Sequence, residues 1–141
     1  MKNSVPVSEI MTRNLIKLNL SDELTKAEEL FKTDKLRHIP VVTENKIIGM
    51  LSYSDLLPVS YADVVEREAD NVESIVFNMF SIRQVMTKDV VIINPETTIK
   101  ETAEILSKNE FHALPVCEND NLVGIVTTTD LIKYFLEQYE Q

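Results

Sequence analysis

The chain has one cysteine, two glycines, no apolar run approaching the ~20 residues that span a bilayer, and a shortage of positive charge. Each scarcity closes a class of function. Cys117, alone in the apolar run LPVC, can form no internal disulfide, which suits a reducing compartment and a core position for the thiol. The N-terminus MKNSVPVSEIM contains no apolar segment of signal-peptide length, so the expectation is a soluble, cytoplasmic protein with no membrane partner. Lys and Arg number 14 against 23 Asp and Glu, giving a net charge of -9 at pH 7. That balance repels phosphate backbones, and no basic cluster offsets it, so nucleic acid is set aside as a partner. A small anion is not, because a few backbone amides and one or two cations can hold a phosphate inside an acidic protein.

Chemistry-bearing motifs are equally scarce. There is no Gly-x-Ser-x-Gly, no phosphate-cradling P-loop and no metalloprotease helix motif, so no catalytic residue or catalytic cofactor is expected. The two histidines and one cysteine show neither His-x-x-x-His nor Cys-x-x-Cys spacing, and no metal site is expected.

What the chain does have is a duplication. Shifted by 75 positions it overlays itself without a gap: Met11-Thr12 falls on Met86-Thr87, Asn19 on Asn94, Pro40-Val41 on Pro115-Val116, Gly49 on Gly124, and Asp55-Leu56 on Asp130-Leu131. Apolar character is kept between those identities, as at Leu18/Ile93, Leu24/Ile99, Ile39/Leu114 and Leu51/Val126. With 141 residues, 44% of them hydrophobic and 26% charged, the chain is globular, built as two copies of one unit over about residues 7 to 57 and 82 to 132.

Within each copy the hydrophobic period changes in the same order. NLIKL and DVVIIN read as short strands, followed by helical stripes at Leu24, Ala27, Leu30, Phe31 and at Ile99, Ala103, Leu106. Thr98-x-x-Glu101 has the spacing of a capping box. HIPVV with IIGMLS, and ALPVC with LVGIVT, read as hairpins turned at TENK and ENDN. A final helix follows, carried in the second copy by Leu131, Ile132, Phe135 and Leu136. Each copy is therefore β-α-β-β-α, and the chain divides into 1–60, an inter-repeat segment 61–80, and 81–141. In that segment Val65, Ala69, Val72, Val76 and Met79 keep helical spacing opposite an acidic face of Asp63, Glu66, Glu68, Asp70 and Glu73. The glycines, at matched places inside strands, mark a bulge or a close approach, in accord with a pocket wall nearby.

Tandem copies carrying HIPVV…IIGMLSYSDLL and ALPVC…LVGIVTTTDLI resemble a pair of CBS domains, the module named after cystathionine beta-synthase. The likeness covers all but the inter-repeat segment and a few terminal residues. It rests jointly on strand order, the Pro-Val pairs, the Gly-x-x-(Ser/Thr)-x-x-Asp-Leu endings and the in-register duplication. The resemblance implies an α/β (α+β) fold in which two pseudo-twofold-related β-α-β-β-α repeats pack sheet to sheet as a Bateman module with two clefts. It also implies an adenine nucleotide such as AMP, ADP or ATP, or S-adenosylmethionine, as regulatory ligand, a homodimer arranged head to head or head to tail, and a separate effector protein.

The candidate ligand residues are the two endings, Ser52-Tyr53-Ser54-Asp55 and Thr127-Thr128-Thr129-Asp130. A hydroxyl at a strand end and free amides at a helix start can donate to a phosphate, while an ionised carboxylate three residues on accepts from both hydroxyls of a ribose. The same Ser/Thr-x-x-Asp pattern also describes a helix cap with no ligand, and one turn can serve both purposes. Arg37, His38 and His112 precede the Pro-Val strands, and the resemblance implies them as phosphate cations, since family members often hold phosphates with Arg or His there. Ala113 stands where the first copy has His38, so the two clefts are expected to differ. The alternative is a non-catalytic dimerisation scaffold with vestigial clefts, presenting the acidic helix and the apolar residues Phe77, Met79 and Phe80.

Overall fold

The computed structural model describes residues 4–57 and 80–140. The inter-repeat helix expected over 61–80 therefore lies outside the described residues except for Phe80, which is exposed. The chain forms two compact units: residues 1–15, 45–47 and 90–141 make one, and residues 16–44 and 48–89 the other. These units cut across the sequence repeats. The first fifteen residues belong with the second repeat, and residues preceding Val90 belong with the first.

In the unit of residues 16–44 and 48–89, strand β1 (Leu18–Asn19) runs parallel to β2 (His38–Thr43), with Leu18 opposite Val41. Helix α1 (Leu24–Asp34) crosses between them, burying Leu24, Ala27 and Phe31 with Leu30 at the margin, as the stripe predicts. Burying each large side chain of that stripe contributes roughly 1.5–3 kcal/mol. β3 (Lys46–Ser52), which belongs to this unit from Ile48 onward, returns alongside β2, a helix opens at 53–57, and the short helix α2 (Ile82–Val85) closes the unit. Its core joins Leu18, Ile39, Val41, Leu51, Leu56 and Ile82 to the α1 stripe.

In the other unit, α3 (Ile99–Ser107) begins at the expected capping box, with the Thr98 hydroxyl accepting from the Glu101 amide and the Glu101 carboxylate accepting from Thr98. β4 (Ala113–Glu118) and β5 (Asn121–Thr127) form an antiparallel hairpin, and α4 (Thr128–Tyr139) follows directly. Both hairpin turns use two successive left-handed residues, Glu44 and Asn45 in one copy, Asn119 and Asp120 in the other. That backbone twist matches the twist of the strands it joins. The core gathers Leu106, Leu114, Val116 and Val126 around Val7 and Met11 from the N-terminal segment. Among the described residues no helix is long and apolar enough to cross a membrane.

Three expectations need correction. DVVIIN forms no strand: only Ile93 bridges Val116, through Ile93 N to Pro115 O and Cys117 N to Ile93 O. Of NLIKL only Leu18 lies in a strand, Leu18–Asn19. Branched residues gave both segments strand propensity, yet extended backbone is counted as strand only where a neighbour supplies a ladder. The buried α3 stripe is Ile99, Thr102 and Leu106, with Ala103 at its edge. Thr102 occupies the place of Ala27 and is tolerated there because its hydroxyl donates to Thr98 O at 2.9 Å.

Candidate functional site

The polar endings sit where β3 and β5 pass into helices, and both copies build them alike. At the first, Ser52 N donates to Asp55 Oδ2 at 3.2 Å and Asp55 N donates to Ser52 Oγ at 3.0 Å. At the second, Thr127 N and Oγ1 donate to Asp130 Oδ2 at 2.9 and 3.2 Å, while Asp130 N returns a bond to Thr127 Oγ1 at 3.3 Å. The cap reading is therefore correct for both. It uses only one carboxylate oxygen of each aspartate: among the described residues, Oδ1 of Asp55 and of Asp130 accepts no hydrogen bond from the protein. The Ser54 and Thr129 amides, next in each first turn, also donate to no acceptor among the described residues.

The strand-leading residues meet the same turns through their backbones. Tyr53 N donates to Arg37 O at 2.9 Å, and Thr128 N donates to His112 O at 3.0 Å. These bonds hold Arg37 and His112 beside the helix starts, with both side chains exposed. His38 is half-buried and has a partner of its own, whereas Ala113 is buried. The copies differ again at Tyr53, whose ring meets Phe31 edge-on with centroids 5.6 Å apart, while Thr128 stands at the matching place. The structure thus gathers Arg37 with Ser52, Tyr53 and Asp55, and His112 with Thr127, Thr128 and Asp130, in two chemically unequal versions of one arrangement.

The close approach expected at the two glycines is present. A Cβ on Gly49 would lie 2.4 Å from Met86 Sδ, and one on Gly124 would lie 2.6 Å from Met11 Sδ. In each case a methionine of the other repeat makes that approach. The signal was present: Met11 and Met86 are themselves a repeated pair. Sequence reasoning also passed over Ile16 and Val91, which match under the 75-residue shift and are both exposed.

One cavity among the described residues lies away from these endings. β4 pairs Ala113 with Thr127 at one end, and the cavity is reached at the other, beside Cys117 and Asp120. Burial, and then the Asp120 carboxylate, push the Cys117 thiol above its ordinary value of 9.0. The folded state therefore holds its thiol proton more tightly than the unfolded state. The resulting stability is complete below that ordinary value and is lost as pH rises through the higher folded one. Urea midpoints of the wild type and of Cys117→Ala, followed from pH 8 to about 10.5, should diverge, the wild type falling more steeply; parallel curves would refute the shift.

The CBS domain family profile matches residues 7–61 and 82–137, both copies and most of the chain. The chain belongs to the CBS domain family. Among curated proteins, this CBS pair is 27% identical over 132 residues to protein MJ1225 of Methanocaldococcus jannaschii, covering 92% of this chain and 46% of that protein. It thus spans less than half the length of that relative. Among solved structures it is similar to CBSX2 of Arabidopsis thaliana, with a TM-score of 0.81 and 21% identity over 98% of this chain and 99% of the other. A structure of CBSX2 in complex with AMP gives 0.78 and 21%, over 96% and 98%. The CBS domain pair of protein MJ0100, in complex with 5'-methylthioadenosine and S-adenosyl-L-methionine, gives 0.77 and 20%, over 95% and 98%. These likenesses agree with the mixed α/β fold of five strands and with the repeats read from the sequence.

Proposed function

We propose that this CBS pair is a non-catalytic regulatory sensor that binds an adenine nucleotide or related adenosyl ligand and passes its occupancy to an effector protein. The observation that carries the reading is the pair of helix caps whose aspartates each keep one oxygen unused. An ionised carboxylate is acceptor-only, and ribose supplies two adjacent donors. The idle Ser54 and Thr129 amides, with Arg37 or His112 beside them, supply donors and charge for a phosphate at the positive end of a helix. CBS pairs of this fold have been crystallised with AMP and with S-adenosylmethionine, which supports the same ligand class here. Signalling requires the ligand to bind one arrangement of the protein better than another.

Thermal unfolding with AMP, ADP, ATP and S-adenosylmethionine tests the reading. A ligand at ~100 times its dissociation constant adds about 2.7 kcal/mol, a rise of several degrees. Asp130→Asn retains a carbonyl for the cap but replaces a ribose acceptor with a donor. It should leave the unliganded midpoint within about 2 °C while removing that site's share of the rise. A rise unchanged in both Asp55→Asn and Asp130→Asn would refute the assignment.

A second feature supports the homodimer. On α4, Ile132, Phe135, Leu136 and Tyr139 form a stripe at three- and four-residue spacing, and these residues are 58%, 45%, 55% and 75% exposed. We place a second copy of the chain there, since one stripe meeting itself across a twofold axis covers both. The scaffold reading draws on the same face. Ile132→Glu with Leu136→Glu should convert the dimer to a monomer by light scattering; a double variant still dimeric would move the interface elsewhere.

A further inference from the structure

The cavity beside Cys117 has a volume of about 510 Å³, within the usual range for small-molecule sites, and belongs to one unit. It lies four strand residues along β4 from Ala113, about 13 Å from the Thr127 end, so it is not the adenosyl site. Its walls divide by chemistry. Ile92, Ile93, Ile105 and Cys117 line it with apolar surface, and Ile92 is left 48% exposed at the opening. The Cys117 thiol is buried without a hydrogen-bond partner among the described residues. Glu101 and Asp120 contribute carboxylates, and among the described residues neither has an ion pair. One Glu101 oxygen serves the α3 cap, which leaves the other and both oxygens of Asp120 unused.

The first repeat shows what the second lacks. Under the 75-residue shift Glu101 falls on Lys26 and Thr97 on Asp22, and Lys26 Nζ lies 3.2 Å from Asp22 Oδ2. The first copy therefore supplies its own ammonium at this place and neutralises it. In the second copy the ammonium has become a carboxylate, the partner carboxylate has become a threonine, and Asn45 has become Asp120. A site that carries its own cation in one repeat presents two anions and an apolar wall in the other.

We propose that this cavity binds a small aliphatic ammonium ion, its charged head between Glu101 and Asp120 and its hydrocarbon body against Ile92, Ile93, Ile105 and Cys117. The net charge of -9 raises the local concentration of such cations, and the apolar wall selects those with an alkyl body over inorganic ones. The site is separate from the adenosyl endings, so its occupancy is a second input to the same chain.

The test is an amide NMR titration of the full chain with n-butylammonium, using butyrate and 1-butanol as matched probes at physiological ionic strength. Saturable shifts confined to residues 92–105 and 117–120 are expected with butylammonium, and weaker or no saturation with the other two. Glu101→Gln keeps the cap, because glutamine serves equally at that position. Combined with Asp120→Asn it should weaken butylammonium at least about fivefold, two partly exposed ion pairs' worth, while Glu137→Gln on α4 leaves binding unchanged. Should the double variant unfold, Glu101→Gln alone should still weaken binding about twofold. Shifts scattered over the acidic surface, equal binding of butanol, or variants that bind as the wild type does would overturn the proposal.

Discussion

Removing residues 1–13 should unfold the unit that contains the second repeat's hairpin, although none of the second repeat's own sequence is touched. The segment buries Val7 completely and Met11 nearly so in that unit's core, with Ile10 at its edge. It also holds the unit through backbone bonds: Val7 N to Thr97 O, Ser8 N to Pro95 O, Ile99 N to Val5 O, and the reciprocal pair between Thr12 and Ile125. The two side chains contribute roughly 1.5–3 kcal/mol each and the bonds about 1 kcal/mol each. Even after discounting for a compact unfolded state, the loss is about 5 kcal/mol, comparable with the whole stability of many small domains. Urea unfolding and hydrogen exchange should show β4 and β5 unprotected in the truncated chain. A thermal midpoint within about 2 °C of the full chain would mean that the segment merely rests on the surface.

Gly49→Ala should destabilise the protein by about 2 kcal/mol, and Gly124→Ala by less than about 1 kcal/mol, although the repeat makes the two positions equivalent. At Gly124 the three nearest atoms a new methyl would meet all belong to the Met11 side chain, at 2.6, 3.0 and 3.3 Å, and methionine has three rotatable bonds with which to withdraw. At Gly49 the methyl would also lie 2.9 Å from the Thr87 carbonyl oxygen. That carbonyl is held by Met50 N at 3.0 Å, and Thr87 N is held by Met50 O at 2.8 Å, so it can retreat only by breaking a ladder bond. Thermal midpoints of the two variants should separate by several degrees. Equal losses would show that the methionines alone set the cost.

The repeat was legible because a duplicated pattern reports equivalence position by position, so the caps at Ser52 and Thr127 and both hairpin turns followed from it. Packing partners were not legible. A 75-residue shift states that Met11 and Met86 occupy matching places, but says nothing of which copy's glycine each one meets. Their exchange between repeats is a three-dimensional fact with no periodic signature. NLIKL and DVVIIN were overread for a related reason: branched residues favour extended backbone, whereas the ladder that completes a strand depends on a neighbour far away in sequence. The site divides along the same line. Hydroxyl and carboxylate could be named from chemistry and the cations from the family resemblance, but the unused oxygen on each aspartate and the exposure of Ile16 and Val91 became visible only in the folded chain.

The most direct test of the sensor reading is isothermal titration calorimetry of AMP into the wild type and into the Asp55→Asn/Asp130→Asn double variant, with ADP, ATP and S-adenosylmethionine run alongside. Saturable binding of at least one of these to the wild type, weakened at least about tenfold in a double variant that melts normally, is the predicted result. The absence of binding by every one of them, or binding that the double variant retains in full, would contradict it.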